Sequence, residues 1–523
     1  MYYPELQDLA ATAGFHARRR PDTVAVHCAD RSLTYAQLHR HSNRAAHALV
    51  SAGLGRASRV AYLGRDCEQF YELLFGCAKS GAVLVPVNWR LTTAEVSHIL
   101  RDSGTEVLFV ERDLKGRAEA VRAELPALRL VVDLDQPGTD GGGLHAWSSG
   151  QPDTDLEPAS GPDDPVVQLY TSGTTGLPKG VVLAHRSFYA VRDALAGAGL
   201  QWIDWRPGDV NLLCIPGFHV GGLWWAVQAF NAGVTNVAMP SFTSRAAVEL
   251  IRRHWVTTTC LVPAMLQMLL AEPAVTRADF QTLRKVVYGG SPISETLLAR
   301  ALTVIGCEFA QIYGLTETGN TAVCLPPEDH TPGSPRLAAA GRPYPGVQLD
   351  VIDPAGVSLP AGEIGEIRIR TPARMLGYWR LPAATAATLV DGWIHTGDAG
   401  FLDADGYLFI RDRIKDVIIV AGENVYPAEV ENALSRHPAV AEAAVVGIPD
   451  ERWGEGVHAF VVLRDGTRAT ARELMLALRG SIADFKLPTS YEFLDRLPRN
   501  PSGKILRRQL RDRFWQHTAR KVN

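Results

Sequence analysis

Short runs of β-branched residues alternate with helix-period segments through most of the chain, and that alternation restricts it to βαβ units and an α/β architecture. Residues 34–55 predict one helix: Thr34 and Gln37 stand at capping-box spacing, Leu38, Ala45, Ala46 and Leu49 follow, and Gly53 and Gly55 can end it. Strands are predicted over 59–63, within 79–88 and over 105–110. The apolar stretch 223–239 is interrupted by Gln228, Asn231, Thr235 and Asn236, which reads as a buried helix, turn and strand. Residues 135–165, rich in Gly, Pro, Asp and Ser, read as a surface loop or linker without packed structure.

From about 341 the texture changes to short antiparallel strands with glycine turns. From about 416 helices at 427–435 and 470–483 mix with strands at 441–447 and 458–463, enough for a small α+β domain. A chain of 523 residues exceeds one ordinary core, and about two to four are expected.

Composition narrows the function classes. With 46% hydrophobic and 21% charged residues the chain is globular rather than disordered. A net charge of −3 and no Lys/Arg block argue against nucleic acid as a partner. Seven scattered cysteines, without C-x-x-C pairs or zinc spacing, fit buried thiols in a reducing compartment. The N-terminus lacks an apolar signal core, and no uninterrupted run reaches the roughly 18 residues of a membrane span. The expected location is the cytoplasm.

Residues 171–180, TSGTTGLPKG, follow a predicted strand at 166–170. Gly173, Gly176 and Gly180 let backbone N–H groups converge on an anion; Thr171, Ser172, Thr174, Thr175 and Lys179 add further donors. This is phosphate-cradling chemistry. It is not a Walker A loop, because Lys179 precedes Gly180 rather than a Ser or Thr.

The loop resembles the phosphate loop of the adenylate-forming superfamily, which includes acyl-CoA synthetases, aryl-CoA ligases, adenylation domains of peptide synthetases and luciferases. YGLTETG (313–319), GWIHTGD (392–398), DRIKDVIIVAGENVYPAEVE (412–431) and PRNPSGKILRR (498–508) follow in the family's order and spacing. Within the superfamily the pattern is most similar to fatty-acyl- and aryl-CoA ligases. The resemblance implies a large N-terminal domain of α/β subdomains with a small β-barrel-like part (1–412). A small mobile α+β C-terminal domain (413–523) would follow, hinged near Lys415.

The implied reaction is ATP-dependent activation of a carboxylic acid to an acyl-adenylate, then transfer to the thiol of coenzyme A. Such a reaction brings two anions together, so it needs a cation at the reacting oxygens, a metal on the departing phosphates and a nucleotide cradle. By resemblance Lys504 bridges the carboxylate and the α-phosphate, Glu317 holds Mg²⁺ with Thr171 beside it, and Thr316 contacts the α-phosphate. A hard carboxylate oxygen suits that metal. Tyr313, Gly314 and the Gly289-Gly290-Ser291 turn would line the nucleotide site, and Asp398 with Arg413 would take the ribose hydroxyls.

The acyl group would lie along 216–224, against Phe218, His219, Gly222 and Trp224, where no Lys or Arg waits for a second carboxylate. Aliphatic and aromatic acids both fit. A carrier-protein phosphopantetheine thiol is the alternative acceptor, and an unusual activated group such as nitrite would use the same nucleotide machinery. Light-emitting oxidation of the adenylate and a catalytically silent nucleotide sensor are the remaining readings.

Overall fold

The computed structural model describes residues 1–134, 143–157, 160–171, 177–450, 452–499 and 505–515. Two large sheets organise the first part. One has seven strands in the order Gly377–Tyr378, Lys179–Ala184, Pro165–Thr171, Val83–Val87, Arg59–Leu63, Val107–Glu111 and Leu130–Leu134. Its last five strands run parallel, and Lys179–Ala184 returns antiparallel to Pro165–Thr171. The other has nine strands, with a parallel centre through Lys285–Gly289, Thr258–Leu261, Val210–Leu213 and Thr235–Ala238.

The helices Glu68–Ser80 and Val220–Ala232 join the two sheets' apolar faces into one core. Phe230 meets Tyr71 at 5.0 Å and Phe75 at 5.4 Å, and the cluster runs on to Leu84 and Val167 of one sheet and Val26 and Leu213 of the other. The polar residues that break the 223–239 run are bonded inside this core. Gln228 donates to the Phe188 carbonyl (2.7 Å), Asn231 accepts from Thr12 (2.8 Å), and Asn236 donates to the Ala25 carbonyl (3.1 Å). The helix Val220–Ala232 and strand Thr235–Ala238 match the expectation.

The expected capping box forms at the Tyr35–Ser51 helix, where Thr34 Oγ1 accepts from the Gln37 amide and Gln37 Oε1 accepts from the Thr34 amide. The 135–165 stretch departs from its reading as an unpacked loop. Of its described part, Gly143–Ser148 is a short helix with Leu144 buried and Trp147 edge-on to Phe109 at 5.2 Å, and Asp153 accepts from Asn43. Leu144 and Trp147 stand three apart and form one apolar face, which the Gly/Pro/Ser composition hides.

The expected small β part is a five-stranded antiparallel sheet containing Gln348–Ile352, Gly365–Arg370, Trp393–Leu402 and Leu408–Arg413, with bulges at Glu366/Arg368 and Ala399/Gly400. The C-terminal part has its own five-stranded sheet and its own core, with Val430, Leu434, Val445, Val457 and Leu474 on one face. Its helix Pro427–Ser435 has the expected bounds. The second expected helix is capped by Thr470 but stops at Leu478 instead of 483, because the chain turns left-handed at Gly480 (φ +79°). The molecule is thus mixed α/β, with a large N-terminal domain and a small C-terminal one.

Candidate active site

The strands Pro165–Thr171 and Lys179–Ala184 form a hairpin that pairs Thr171 with Lys179 and Tyr170 with Gly180. Ser172, Gly173, Thr174, Thr175 and Gly176 of the expected cradle lie outside the described residues, as does Lys504. The hairpin's return strand positions Lys179, whose Nζ stands 5.1 Å over the Tyr378 ring. Tyr378 comes from the edge strand beside it, and its hydroxyl donates to Glu317 Oε1 at 2.7 Å. Burial and the Glu317 charge push the phenol up, so it stays a donor. The Met375 amide also donates to the Glu317 carbonyl (2.8 Å). Thus the strand that begins at Lys179, the Thr316–Thr318 turn and residues 375–378 come together around Glu317.

A second cluster forms where Asp398 pairs in register with Arg413 on neighbouring antiparallel strands. Arg413 Nε lies 2.7 Å from Asp398 Oδ1, and the Tyr313 hydroxyl donates to Oδ2 at 2.6 Å. Asp398 is 5% exposed. Burial, then the Asp398 charge, holds the Tyr313 phenol well above its ordinary value. Each carboxylate oxygen keeps a lone pair for one more donor, such as a sugar hydroxyl. His395 Nδ1 lies 3.2 Å from Glu366 Oε2, on the neighbouring strand.

Between the clusters, Lys285–Gly289 and Glu308–Tyr313 run parallel and end side by side, where open α/β sheets bind ligands. Two glycines permit the approach: a Cβ on Gly289 would stand 2.3 Å from the Ile312 carbonyl oxygen, and one on Gly314 2.2 Å from that of Asn320. Gly290, next to Ser291, takes φ +84°.

The segment 216–224 begins as a tight turn into the Val220–Ala232 helix, and a Cβ on Gly222 would stand 2.2 Å from the Ile215 carbonyl oxygen. His219 precedes the helix, its ring 4.6 Å from that of Phe218. His219 Nε2 is buried without a partner among the described residues; burial, then Arg90, lowers the imidazole to about 4, so it is neutral at pH 7. Trp224 is a core side chain, 3% exposed, with Trp225 at 6.2 Å.

Sequence reasoning missed Tyr378, Asp66 and Asn320. Asp66 is a buried carboxylate whose Oδ2 accepts the Gly217 amide (2.8 Å); desolvation pushes it up to about 7. Asn320 adopts φ +92° with Nδ2 buried and unpartnered among the described residues. Asn320 directly follows the TETG string, which is a signal that could have found it; Asp66 and Tyr378 sit in no motif.

Lys415 lies exposed in the Ile414–Asp416 turn, and its carbonyl accepts from Arg511 (3.2 Å). Just before it, Asp412 accepts from the Arg413 amide (2.8 Å) and from the Ala428 amide (3.0 Å). Asp412 thereby satisfies an orphan donor in the first turn of Pro427–Ser435 and joins the C-terminal domain to the strand that carries Arg413. A cleft of about 1960 Å³ opens beside this junction, lined by Arg413, Lys415, Asn424, Arg507 and Arg511 among others.

Comparison with known proteins matches this architecture. The AMP-binding enzyme family matches residues 15–379, and the AMP-binding enzyme C-terminal domain matches 429–504. The chain is 63% identical to a fatty acid–acyl-carrier-protein ligase, ScoC, of Streptomyces coeruleorubidus, over 100% of this chain and 99% of that one. It is 39% identical to an indoleacetate–CoA ligase of Aromatoleum aromaticum, over 97% of each. ATP-bound MatB from Rhodopseudomonas palustris has the same fold, with a TM-score of 0.89 at 30% identity over 97% of this chain and 99% of that one. The chain therefore belongs to the AMP-binding enzymes, ATP-using ligases that activate acids as adenylates.

Proposed function

We propose that this enzyme activates a fatty acid with ATP and passes the acyl group to the phosphopantetheine thiol of an acyl-carrier protein. The observation that carries the acceptor is the 63% identity, along the whole chain, with a fatty acid–acyl-carrier-protein ligase, against 39% with an indoleacetate–CoA ligase. Coenzyme A, the first expectation, is the second reading; the CoA-ligase relative over 97% of each chain favours it.

In the first half-reaction a carboxylate oxygen of the acid attacks the α-phosphorus and pyrophosphate leaves. Thr171, Ser172, Gly173, Thr174, Thr175, Gly176 and Lys179 hold the phosphates, and Thr316 and Lys504 neutralise charge at the reacting oxygens. Glu317, one oxygen of which is occupied by Tyr378, fits a hard cation that takes one or two protein carboxylates and completes its shell with phosphates and water. Mg²⁺ held there would offset the charge of the departing pyrophosphate. Gly289, Gly290, Ser291, Tyr313 and Gly314 line the adenine side, and Asp398 with Arg413 orients the ribose. The acid sits against Phe218, the neutral His219, Gly222 and Trp224.

In the second half-reaction the thiolate attacks the acyl carbonyl and AMP leaves. The residues that follow Lys415 turn about it between the two, removing Lys504 from the site and bringing the 421–424 loop in. The test is pyrophosphate release over fatty acids of graded length and aromatic acids, followed by acyl transfer to holo-carrier protein and to CoA in separate reactions. Transfer to the carrier at least tenfold faster than to CoA is expected. Comparable or faster transfer to CoA overturns the carrier reading, and no pyrophosphate release with any acid overturns carboxylate activation.

A further inference from the structure

Far from the motifs above in sequence, three helices meet around one buried carboxylate. Glu72, on Glu68–Ser80, has a side chain with 0% exposure. His41, on Tyr35–Ser51, places Nδ1 2.7 Å from Glu72 Oε1, and His145, on Gly143–Ser148, places Nε2 2.8 Å from Oε2. The imidazole rings stand 4.8 Å apart, and the three candidate ligand atoms lie within 4.8 Å of one another. Among the described residues no Lys or Arg pairs with Glu72, so its charge in the interior is met by two imidazoles alone. A buried carboxylate is ordinarily matched by a cation.

We propose that His41, Glu72 and His145 form a binding site for a zinc-class divalent ion. Two imidazole nitrogens and one carboxylate oxygen are the donor set that Zn²⁺ accepts, with arms of about 2.0–2.2 Å and a ligand–ligand edge of about 3.3 Å. The two His–Glu separations are about half an ångström shorter than that edge and the three ligand atoms span up to 4.8 Å, so the histidines would slide off the separate carboxylate oxygens and draw together on one ion as it replaces their N–H protons. A cavity of about 400 Å³, lined by His41, Arg44, His145, Ala146, Ser148 and Ser149, borders the cluster and leaves room for water in the fourth position. The third ligand comes from a six-residue helix that otherwise rests on Leu144 and Trp147. An ion here pins that helix to the two long ones, a structural staple separate from the Glu317 carboxylate.

The experiment uses the full chain, stripped with chelator and free of nucleotide and Mg²⁺, titrated with Zn²⁺ and, for spectroscopy, Co²⁺. The wild type is expected to hold one more equivalent of Zn²⁺ after dialysis than His145→Ala. Its Co²⁺ visible bands are expected to vanish in that variant, and Zn²⁺ is expected to raise its melting temperature but not the variant's. His41→Ala, at a second partly exposed ligand, guards against a local folding defect, with circular dichroism on both variants. Equal Zn²⁺ stoichiometry in the three proteins, or Co²⁺ bands untouched by both substitutions, overturns the site and leaves a hydrogen-bonded clamp.

Discussion

Two carboxylates of the candidate site are built alike and finished differently. Asp398 and Glu317 each accept a tyrosine hydroxyl, from Tyr313 at 2.6 Å and Tyr378 at 2.7 Å. Asp398 also has a guanidinium nitrogen at 2.7 Å. Near Glu317 the cation stands over the tyrosine ring instead, Lys179 Nζ 5.1 Å from its centroid, and no described Lys or Arg forms an ion pair with the carboxylate. A carboxylate already neutralised by arginine can accept from hydroxyls with little long-range charge effect. One left uncompensated attracts a cation. Under the proposed function, the same tyrosine–carboxylate unit would serve as a sugar holder in one place and a metal ligand in the other.

The largest expected effect tests the open carboxylate. Glu317→Gln should lower pyrophosphate release on the order of a thousandfold and remove its dependence on Mg²⁺ concentration. An unaltered Mg²⁺ titration would break the distinction between the two sites.

Arg413→Ala should strand a buried charge at Asp398 and destabilise the protein by about 3 kcal/mol, read by urea denaturation. Arg413→Ala with Asp398→Asn should recover part of that stability without recovering ATP affinity.

Asp66 supplies a third state of the comparison: a buried carboxylate with, among the described residues, one backbone donor and no ion-paired cation, pushed up to about 7. Its folded-state pKa is raised above the unfolded value of 3.8, so the folded form binds the proton more tightly. That contribution is complete below about pH 4 and lost as pH rises to about 7, amounting to about 4 kcal/mol. Stability measured from pH 4 to 8 should therefore fall less steeply in Asp66→Asn than in the wild type. Parallel curves would show that Asp66 does not titrate in that window.

The smallest effect comes from Tyr378→Phe, which removes one bond to a charged acceptor. It should reduce kcat/KM for ATP about tenfold and leave stability nearly unchanged. A hundredfold loss would place the phenol on the reacting groups rather than behind Glu317.

Local chemistry along the chain determined much of this protein. The capping box at Thr34, the Pro427–Ser435 helix, the α/β alternation and the motifs carrying Glu317, Asp398 and Arg413 were readable because each depends on residues a few positions apart. The helix at Gly143–Ser148 was missed because loop composition outweighed the two apolar positions that fold it against Phe109. Tertiary structure alone decided which groups complete those motifs. Tyr378 reaches Glu317 across 61 positions, the Gly217 amide reaches Asp66 across 151, and His41, Glu72 and His145 converge from three helices. Partners that distant are selected by sheet order and helix packing, and a one-residue shift in either would turn the side chain away. No local pattern in the chain encodes that geometry.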